Sequence, residues 1–363
     1  MRWYAWIKNL WQTRTAPGSL ASFNPESTLD FQALPSVATA SGPTRLRFGV
    51  ISDKGNVREQ NEDNFYVPVR PASGVGPSPR DQNNSHGQHA HDDGPVSPGP
   101  DGLFLVADGM GGQLAGEEAS RMAVELVPKE LARRLGPDLD DLATQLAIRD
   151  AVARANEEIL ARSHLDSNFA NMGTTLALAL FHLGRAYVAG IGDSRAYRLR
   201  NGRLEQLTED HSMAKALEKA GTIRPDEVST HKYNHILYNY LGSREAREGP
   251  EEIQVLDCRP GDQILLCSDG LTGVVTDGMI VDVLQACTDP QQAAQALVRR
   301  ALENRSKDNV TCVVIRVEAA GASSSGPVLP VSPPPIRAAE PARLKNSERS
   351  EPGGRGEGDD TVR

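Results

Sequence analysis

Five aspartates at the ends of short apolar runs restrict how this chain can fold. Each is followed by glycine, serine or asparagine; they are Asp63, Asp108, Asp193, Asp269 and Asp308. A strand that ends in Asp-Gly presents a carboxylate and a backbone carbonyl at the edge of a sheet. Several such ends brought together form an all-oxygen cage of the kind that Mg²⁺ or Mn²⁺ prefers. We therefore predict a fold that gathers several strand ends in one place.

Each motif also has a simpler explanation when it is taken alone. One Asp-Gly is a turn, and the glycines after Asp108 fit a strand-to-helix turn. Asp193, in Gly-Asp-Ser, fits a hairpin turn, and the segment from Ser52 to Asp63 fits a charged loop. Five such aspartates in one chain are harder to explain as turns, so we favour a shared site.

The order of the predicted elements indicates the fold class. Strand patterns cover 46–52, 103–107, 174–181, 185–191, 194–200, 203–207, 263–267 and 309–317. Helical periodicity covers 114–135, 139–163, 279–286 and 290–304. Two long helices thus interrupt the strands, and Asn201-Gly202 predicts a tight hairpin within the later strands. This order lacks a repeating βαβ unit, so it predicts an α+β fold with antiparallel sheets and helices packed outside them.

Composition divides the chain of 363 residues into one domain and three flanking or inserted segments. The predicted arm, 1–44, is rich in Ser, Thr, Ala and Pro from residue 12 onwards, and residues 70–101 and 319–363 are rich in Pro, Gly or Ser with few large apolar side chains. Such segments cannot bury enough surface to offset the entropy of ordering, so we predict a largely disordered arm, insertion and tail. The folded domain is predicted to span 45–318, and we expect a monomer.

Charge and cysteine usage limit the classes of function. The formal net charge is −9, which argues against nucleic acid as a partner. Four scattered cysteines form no Cys-x-x-Cys pair, and no apolar run is long enough to span a bilayer. We therefore expect a protein without disulfides in a reducing cytoplasm.

The three tryptophans lie at the start of the chain, at Trp3, Trp6 and Trp11. With neighbouring apolar and basic residues they could form a short amphipathic helix at a membrane interface. The segment is short, so we favour docking onto the protein itself or a partner over membrane contact.

The spelling and order of the motifs resemble one family. Arg-x-x-Asn-Glu-Asp, Ala-Asp-Gly-Met-Gly-Gly, Gly-Thr-Thr, Gly-Asp-Ser-Arg, Thr-Glu-Asp-His-Ser, Ser-Asp-Gly-Leu and Asp-Asn follow one another between about residues 46 and 317. In that order they resemble the metal-dependent serine/threonine protein phosphatases of the protein phosphatase 2C (PPM) family, in its bacterial form. The resemblance implies a four-layer αββα sandwich of two antiparallel β-sheets, in agreement with the element order. It also implies hydrolysis of phosphoserine and phosphothreonine on proteins by a metal-activated water, opposing a Ser/Thr kinase.

The resemblance assigns a paired metal site to the aspartates. It implies that Asp63 and a bridging Asp108 bind two Mn²⁺ or Mg²⁺ ions, with the carbonyl of Gly109 as a further ligand. Asp269 and Asp308 would complete the cage. Carboxylate and carbonyl oxygens suit these ions, whereas His and Cys would suit zinc.

Other positions take supporting roles under the same resemblance. Glu62 would hold a water bound to the metals, and Arg58 would grip the substrate phosphate, as the fork of a guanidinium suits paired phosphate oxygens. Asp193 would bind the third metal of bacterial members and share it with Asp269. Residues 207–242 match a mobile flap beside the site.

One position departs from the animal members of the family, which carry a proposed general acid, His, after the Asp-Gly pair. Here Met110 takes that place, as in bacterial members, and a thioether cannot donate a proton. His211 is the nearest candidate donor by motif, although a structural role in the flap is favoured for it.

Two other functions remain as alternatives. A binding protein that has lost catalysis is disfavoured because the aspartate set is complete. A two-metal nuclease is disfavoured by the acidic composition and the absence of a basic patch in the sequence.

Overall fold

The computed structural model describes residues 44–68, 102–111 and 115–319. The chain divides into two compact units, Met1–Ala322 and Ser323–Arg363, and every described residue lies in the first. The predicted arm, insertion and tail lie outside the described residues except at their boundaries, and so do the three tryptophans.

Two antiparallel sheets form the centre of the described fold. The first has the order β1 (Thr44–Asp53), β11 (Val310–Ala319), β10 (Gln263–Cys267), β7 (Arg195–Arg200) and β8 (Arg203–Gln206). The second has the order β2 (Asp63–Tyr66), β3 (Leu103–Met110), β5 (Leu176–His182), β6 (Arg185–Ile191) and β9 (Ile253–Asp257), and β4 (Gly173–Thr174) also pairs with β3.

Helices cover the outer face of each sheet. The helices are α1 (Ala115–Arg134), α2 (Asp141–Leu165), α3 (Met213–Lys219), α4 (Asp269–Thr272), α5 (Asp277–Ala286) and α6 (Pro290–Glu303). The long helices α1 and α2 pack on the second sheet, and α5 and α6 pack on the first. The four-layer αββα arrangement is therefore confirmed.

The alternation of side chains in β5 explains why its first six residues are all apolar. Leu176, Leu178 and Leu180 face the long helices, whereas Ala177 and Ala179 face the other sheet. A strand that is buried on both faces carries apolar residues on both, so apolar and polar residues do not alternate along it. The small side chains on the inner face let the two sheets approach each other.

The structure corrects three local predictions. Asp63 begins β2 instead of following an apolar run, because a four-residue strand starts at that residue. Asp108 lies inside β3, because Gly109 and Met110 continue the strand by pairing with β4. Asp269 is the first residue of α4, two residues beyond the end of β10.

Two strands and the flap helix escaped the sequence prediction. The strand β2 is only four residues long, and β9 alternates weakly within a polar stretch. Helix α3 has seven residues, too few to give a clear period. Among the described helices, none combines the length and the apolar character that crossing a membrane requires.

Candidate metal centre

Asp63 and Asp108 face each other across β2 and β3, where the strand register pairs them directly. Asp63 is 2% exposed, and its Oδ2 accepts hydrogen bonds from Ser268 Oγ at 2.8 Å and Thr311 Oγ1 at 2.7 Å. Its Oδ1 is buried and has no hydrogen-bond partner among the described residues. A buried carboxylate oxygen without a partner is costly, and a divalent cation is a ligand that would satisfy it.

The first sheet supplies two more carboxylates from loops at the same end of the sandwich. Asp269 follows β10, and Asp308 comes two residues before β11, which pairs with β10. Ser268 and Thr311, which hold Asp63, belong to these same segments. These hydroxyl contacts therefore join the carboxylates of the two sheets into one site.

The carboxyl groups of the site raise one another's pKa. Burial raises the pKa of Asp63 to about 7, and repulsion from Asp269 and Asp308 adds to that rise against the two hydroxyl hydrogen bonds. Burial also raises the pKa of Asp108, and the charges of the other four aspartates raise it further. Asp108 is thus the member that all the others approach, which suits the predicted bridging position.

The carboxylates form an open set. Within residues 44–68, 102–111 and 115–319, no three His, Cys, Asp or Glu side chains converge closely enough to enclose a cation. One oxygen of Asp308 is already engaged, because its Oδ2 accepts a hydrogen bond of 2.7 Å from the Arg58 guanidinium. The donor set still fits a hard divalent ion, since it is all carboxylate and includes the unpartnered Oδ1 of Asp63.

Arg58 stands at the rim of this site, with a side chain that is 49% exposed. Asn309 holds its loop in place. The Asn309 side chain donates to the carbonyls of Lys54 and Gln60 at 2.9 Å each and accepts from the backbone N–H of Glu62 at 2.9 Å. Sequence reasoning assigned no role to Asn309, although it stands in the Asp-Asn motif, and it is a positioning residue for both Arg58 and Glu62.

Glu62 and Gly109 are joined by their backbones. The N–H of Gly109 donates to the Glu62 carbonyl at 3.2 Å, and Ser120 Oγ donates to the same oxygen at 2.5 Å. A Cβ on Gly109 would lie 2.1 Å from the carbonyl oxygen of Gly116, at the start of α1. Only glycine therefore allows this close approach of helix and strand beside Asp108. Burial raises the pKa of Glu62, and the charge of Arg58 opposes that rise.

Asp193 lies in the loop between β6 and β7. Burial raises its pKa to about 8, and the charges of Asp269 and Asp210 raise it further. Asp269 is thus a near neighbour of Asp193, which supports the predicted sharing of a third metal.

The base of the flap is hydrogen-bonded to this loop through His211. Its backbone N–H donates to the Gly192 carbonyl at 2.8 Å, and its Nδ1 accepts from the Gly192 N–H at 3.1 Å. His211 is 9% exposed, and burial lowers its pKa. A buried, neutral imidazole with one nitrogen already accepting a backbone hydrogen bond positions the flap, so it is a poor proton donor.

The flap brings a different imidazole to the site. His235 is exposed, and its charge lowers the pKa of Asp269 against the rise caused by burial and by Asp308. It lies just before Ile236, whose carbonyl accepts a hydrogen bond from the N–H of Met213 at 2.7 Å. Sequence reasoning missed His235, because no motif marks it and its influence on Asp269 depends on the folding of the flap.

Comparison with known proteins identifies the family of the chain. The family model described as protein phosphatase 2C matches residues 80–308. The serine/threonine protein phosphatase PstP of Mycobacterium tuberculosis is 33% identical over 273 residues, which cover 75% of this chain and 45% of PstP. The chain therefore spans less than half of that relative's length.

A further relative and the catalytic domain of PstP are each covered almost completely. The serine/threonine phosphatase stp of Listeria monocytogenes is 34% identical over 62% of this chain and 90% of its own length. A crystal structure of the PstP catalytic domain in complex with two manganese ions matches with a TM-score of 0.59 and 32% identity, over 76% of this chain and 99% of that domain. Because the family model matches more than half of the residues, the chain belongs to the protein phosphatase 2C family.

Proposed function

We propose that this chain is a metal-dependent protein-serine/threonine phosphatase, which hydrolyses phosphoserine and phosphothreonine on proteins. The observation that carries the proposal is the buried, unpartnered Oδ1 of Asp63 at the meeting point of carboxylates from both sheets. The crystal structure of the PstP catalytic domain with two manganese ions supports Mn²⁺ or Mg²⁺ as the ion.

Two divalent ions supply an activated water at neutral pH and neutralise charge on the phosphate oxygens. The residues that would hold the pair are Asp63, Asp108, Gly109 (through its carbonyl), Asp269 and Asp308. Asp193, which adjoins Asp269, would share a third ion with it. Glu62 accepts no side-chain hydrogen bond within the described residues, so its carboxylate is available to orient water.

Arg58 would hold the substrate phosphate at the rim of the site. Its guanidinium has five N–H donors, of which the bond to Asp308 uses one. Electrostatic stabilisation of the phosphoryl oxygens is a major part of phosphoryl transfer. The leaving serine or threonine oxygen must gain a proton, which Met110 cannot supply. His235 is an exposed imidazole of the flap, and we propose it as the group that supplies this proton.

The biological setting follows from the relatives. Substrates would be phosphoproteins, and the enzyme would oppose a Ser/Thr kinase in bacterial signalling. We also propose a cytoplasmic location, because the four cysteines are free and three of them are buried. We further propose that the protein is a monomer.

Three substrates separate this function from its alternatives. The chain should hydrolyse p-nitrophenyl phosphate and a phosphothreonine peptide with Mn²⁺ and should leave DNA intact. Activity that disappears with EDTA and returns with Mn²⁺ is the expected result. Cleavage of DNA alone would favour a nuclease, and inactivity on all three with Mn²⁺ would favour a binding protein.

A further inference from the structure

A groove with a volume of about 410 Å³ lies outside the metal centre. The second half of α2 forms one wall, and the short 3₁₀ helix Glu245–Glu248, just after the flap, forms the other. Leu160 and Ala161 contribute apolar surface to it. This volume is within the range of ligand-binding clefts.

The side chains that line this groove are more basic than acidic, although the chain as a whole is acidic. Arg244 and Arg247 line it together with His164. Both arginines are exposed, and neither forms an ion pair with another side chain in the described part of the chain. The acidic residue of the lining, Glu157, is already bound to Arg154 at 2.8 Å. Two guanidinium groups of the lining therefore face solvent without an ion-pair partner among the described residues, and Glu245 and Glu248 of the same 3₁₀ helix are not part of the lining.

Hydrogen bonds connect the groove to the metal centre. Asn156, a buried residue of the lining, accepts from the Gly242 N–H at 2.7 Å and donates to the Ser243 carbonyl at 3.0 Å. The neighbouring Leu241 pairs with Thr174 at 2.8 and 3.0 Å, and Thr174 Oγ1 donates to the Asp108 carbonyl at 2.9 Å. The groove thus adjoins the end of the flap that is tied to the catalytic carboxylates.

We propose that this groove binds an acidic segment of the phosphoprotein substrate, remote from the phosphorylated residue. Guanidinium groups pair with carboxylates in a forked geometry, and Leu160 and Ala161 would contact the aliphatic stems of the bound side chains. Charge complementarity selects an acidic occupant over an apolar one. This inference rests on the proposed phosphatase function and adds a determinant of substrate choice to it.

Steady-state kinetics on paired peptides test the groove. Each pair carries the same phosphothreonine and differs in a distant run of glutamates or glutamines, with the spacing varied across pairs. We expect the wild-type full chain with Mn²⁺ to have a lower KM for the glutamate member at a suitable spacing. Arg244→Ala/Arg247→Ala should raise that KM about three- to tenfold, as expected for two partly exposed charge pairs, with little change in kcat.

The control variant is Arg299→Ala/Arg300→Ala, which removes two exposed arginines from α6 on the opposite helix layer. It should keep the preference for glutamate, and both variants should hydrolyse p-nitrophenyl phosphate like the wild type. Charge reversal in Arg244→Glu/Arg247→Glu should turn the preference towards the glutamine peptides. Equal KM values for both members of every pair in the wild type would overturn the groove proposal while leaving the phosphatase function intact. A wild type inactive on every phosphorylated substrate would overturn the proposed function instead.

Discussion

At the scale of the residue, Asp63 has the surroundings that are most informative about the site. One of its oxygens accepts two hydroxyl hydrogen bonds, and the other is buried without a partner among the described residues. An unsatisfied buried polar atom costs roughly 1–3 kcal/mol, and more when it is charged. The fold keeps this carboxylate in place through Ser268 and Thr311, so the cost is consistent with a function in cation binding.

Replacement of Asp269 by asparagine separates function from folding. We expect Asp269→Asn to lower Mn²⁺-dependent hydrolysis at least ~100-fold, because losing a ligand should cost no less than losing a group that supports one. Without divalent ions the variant should be as stable as the wild type or more so, because the side chain no longer repels Asp308. Thermal unfolding and turnover of p-nitrophenyl phosphate measure both effects, and unchanged turnover would remove Asp269 from the site.

Arg58 should act on the phosphate more than on the metals. Arg58→Ala should raise the KM for a phosphothreonine peptide by about tenfold, the scale of one charge-assisted contact. Mn²⁺ affinity should not fall, because the substitution frees Asp308 from its hydrogen bond. Arg58→Lys is the matched control and should recover part of the loss. Calorimetric titration of Mn²⁺ that reveals an equal loss of metal affinity would contradict the assigned role.

Individual site residues could be predicted only where a motif marks them. The five aspartates stand beside glycine, serine or asparagine, so sequence reasoning found them. The structure pairs Asp63 with Asp108 and joins Asp63 by hydrogen bonds to the segments that carry Asp269 and Asp308. Asn309 was part of a recognised motif, but its three hydrogen bonds reach residues 54–62, far away in the chain. His235 has no local signal, because its position depends on how the flap folds back.

At the scale of the element, the site depends on how closely short elements approach one another. Helix α4 begins with Asp269 and Gly270, and the latter packs against the backbone that enters β11. A Cβ on Gly270 would lie 1.9 Å from the carbonyl oxygen of Asn309. The two metal-site segments can therefore share one side of the site only because this position has no side chain.

Substitution of this glycine tests that dependence. Gly270→Ala should destabilise the protein by about 1–3 kcal/mol or more through overpacking and should weaken Mn²⁺ binding by displacing Asp269 from Asp308. Gly278→Ala, in α5, is the control, because its Cβ would meet no atom closer than 4.0 Å. Chemical denaturation and Mn²⁺ titration of both variants provide the comparison. Equal behaviour of the two variants would show that the close approach is unimportant.

The elements themselves were predictable in proportion to their length and regularity. The long helices α1 and α2 and the apolar strands β5 and β6 show clear periods over many residues. Strand β9 forms by antiparallel pairing with β6, although its own sequence shows only weak alternation of apolar and polar residues. Pairing between distant segments is the information that a local pattern lacks.

At the scale of the whole molecule, the two sheets together concentrate negative charge at one end of the sandwich. The carboxyl pKa values of Asp63 and Asp193 rise to about 7 and about 8, with burial as the first cause. Between the unfolded value, near 4, and these values, the folded state binds more protons than the unfolded state. The free energy of unfolding contributed by these groups therefore falls as pH rises through that interval.

This linkage predicts that the stability of the protein depends on pH differently with and without metal. For the protein stripped of divalent ions, we expect this contribution, on the order of a few kcal/mol, to be lost between about pH 4 and about pH 8. The Asp63→Asn variant should lose less stability over this pH range. Saturating Mn²⁺ should restore the stability of the wild type at the upper end of the range. Urea unfolding across this pH range, for wild type and variant, measures the difference. The same pH dependence in both proteins would contradict the coupling of these carboxyls to folding.

The layered architecture was the most predictable property of the molecule. The order of strands and helices excluded a repeating βαβ fold, and the family motifs pointed to the αββα sandwich. The arrangement of the carboxylates was less predictable. Contact between Arg58 and Asp308, and the hydroxyls that hold Asp63, arise only when residues more than 200 positions apart meet.

The central claim is that carboxylates from both sheets bind a pair of divalent cations, and metal stoichiometry tests it most directly. Isothermal titration of the ion-stripped full chain with Mn²⁺ should give at least two ions per chain for the wild type. Asp63→Asn, which neutralises the buried carboxylate, should lose at least one of them while remaining folded by circular dichroism. A wild type that binds no more than one Mn²⁺, or a variant with unchanged stoichiometry and affinity, would contradict the claim.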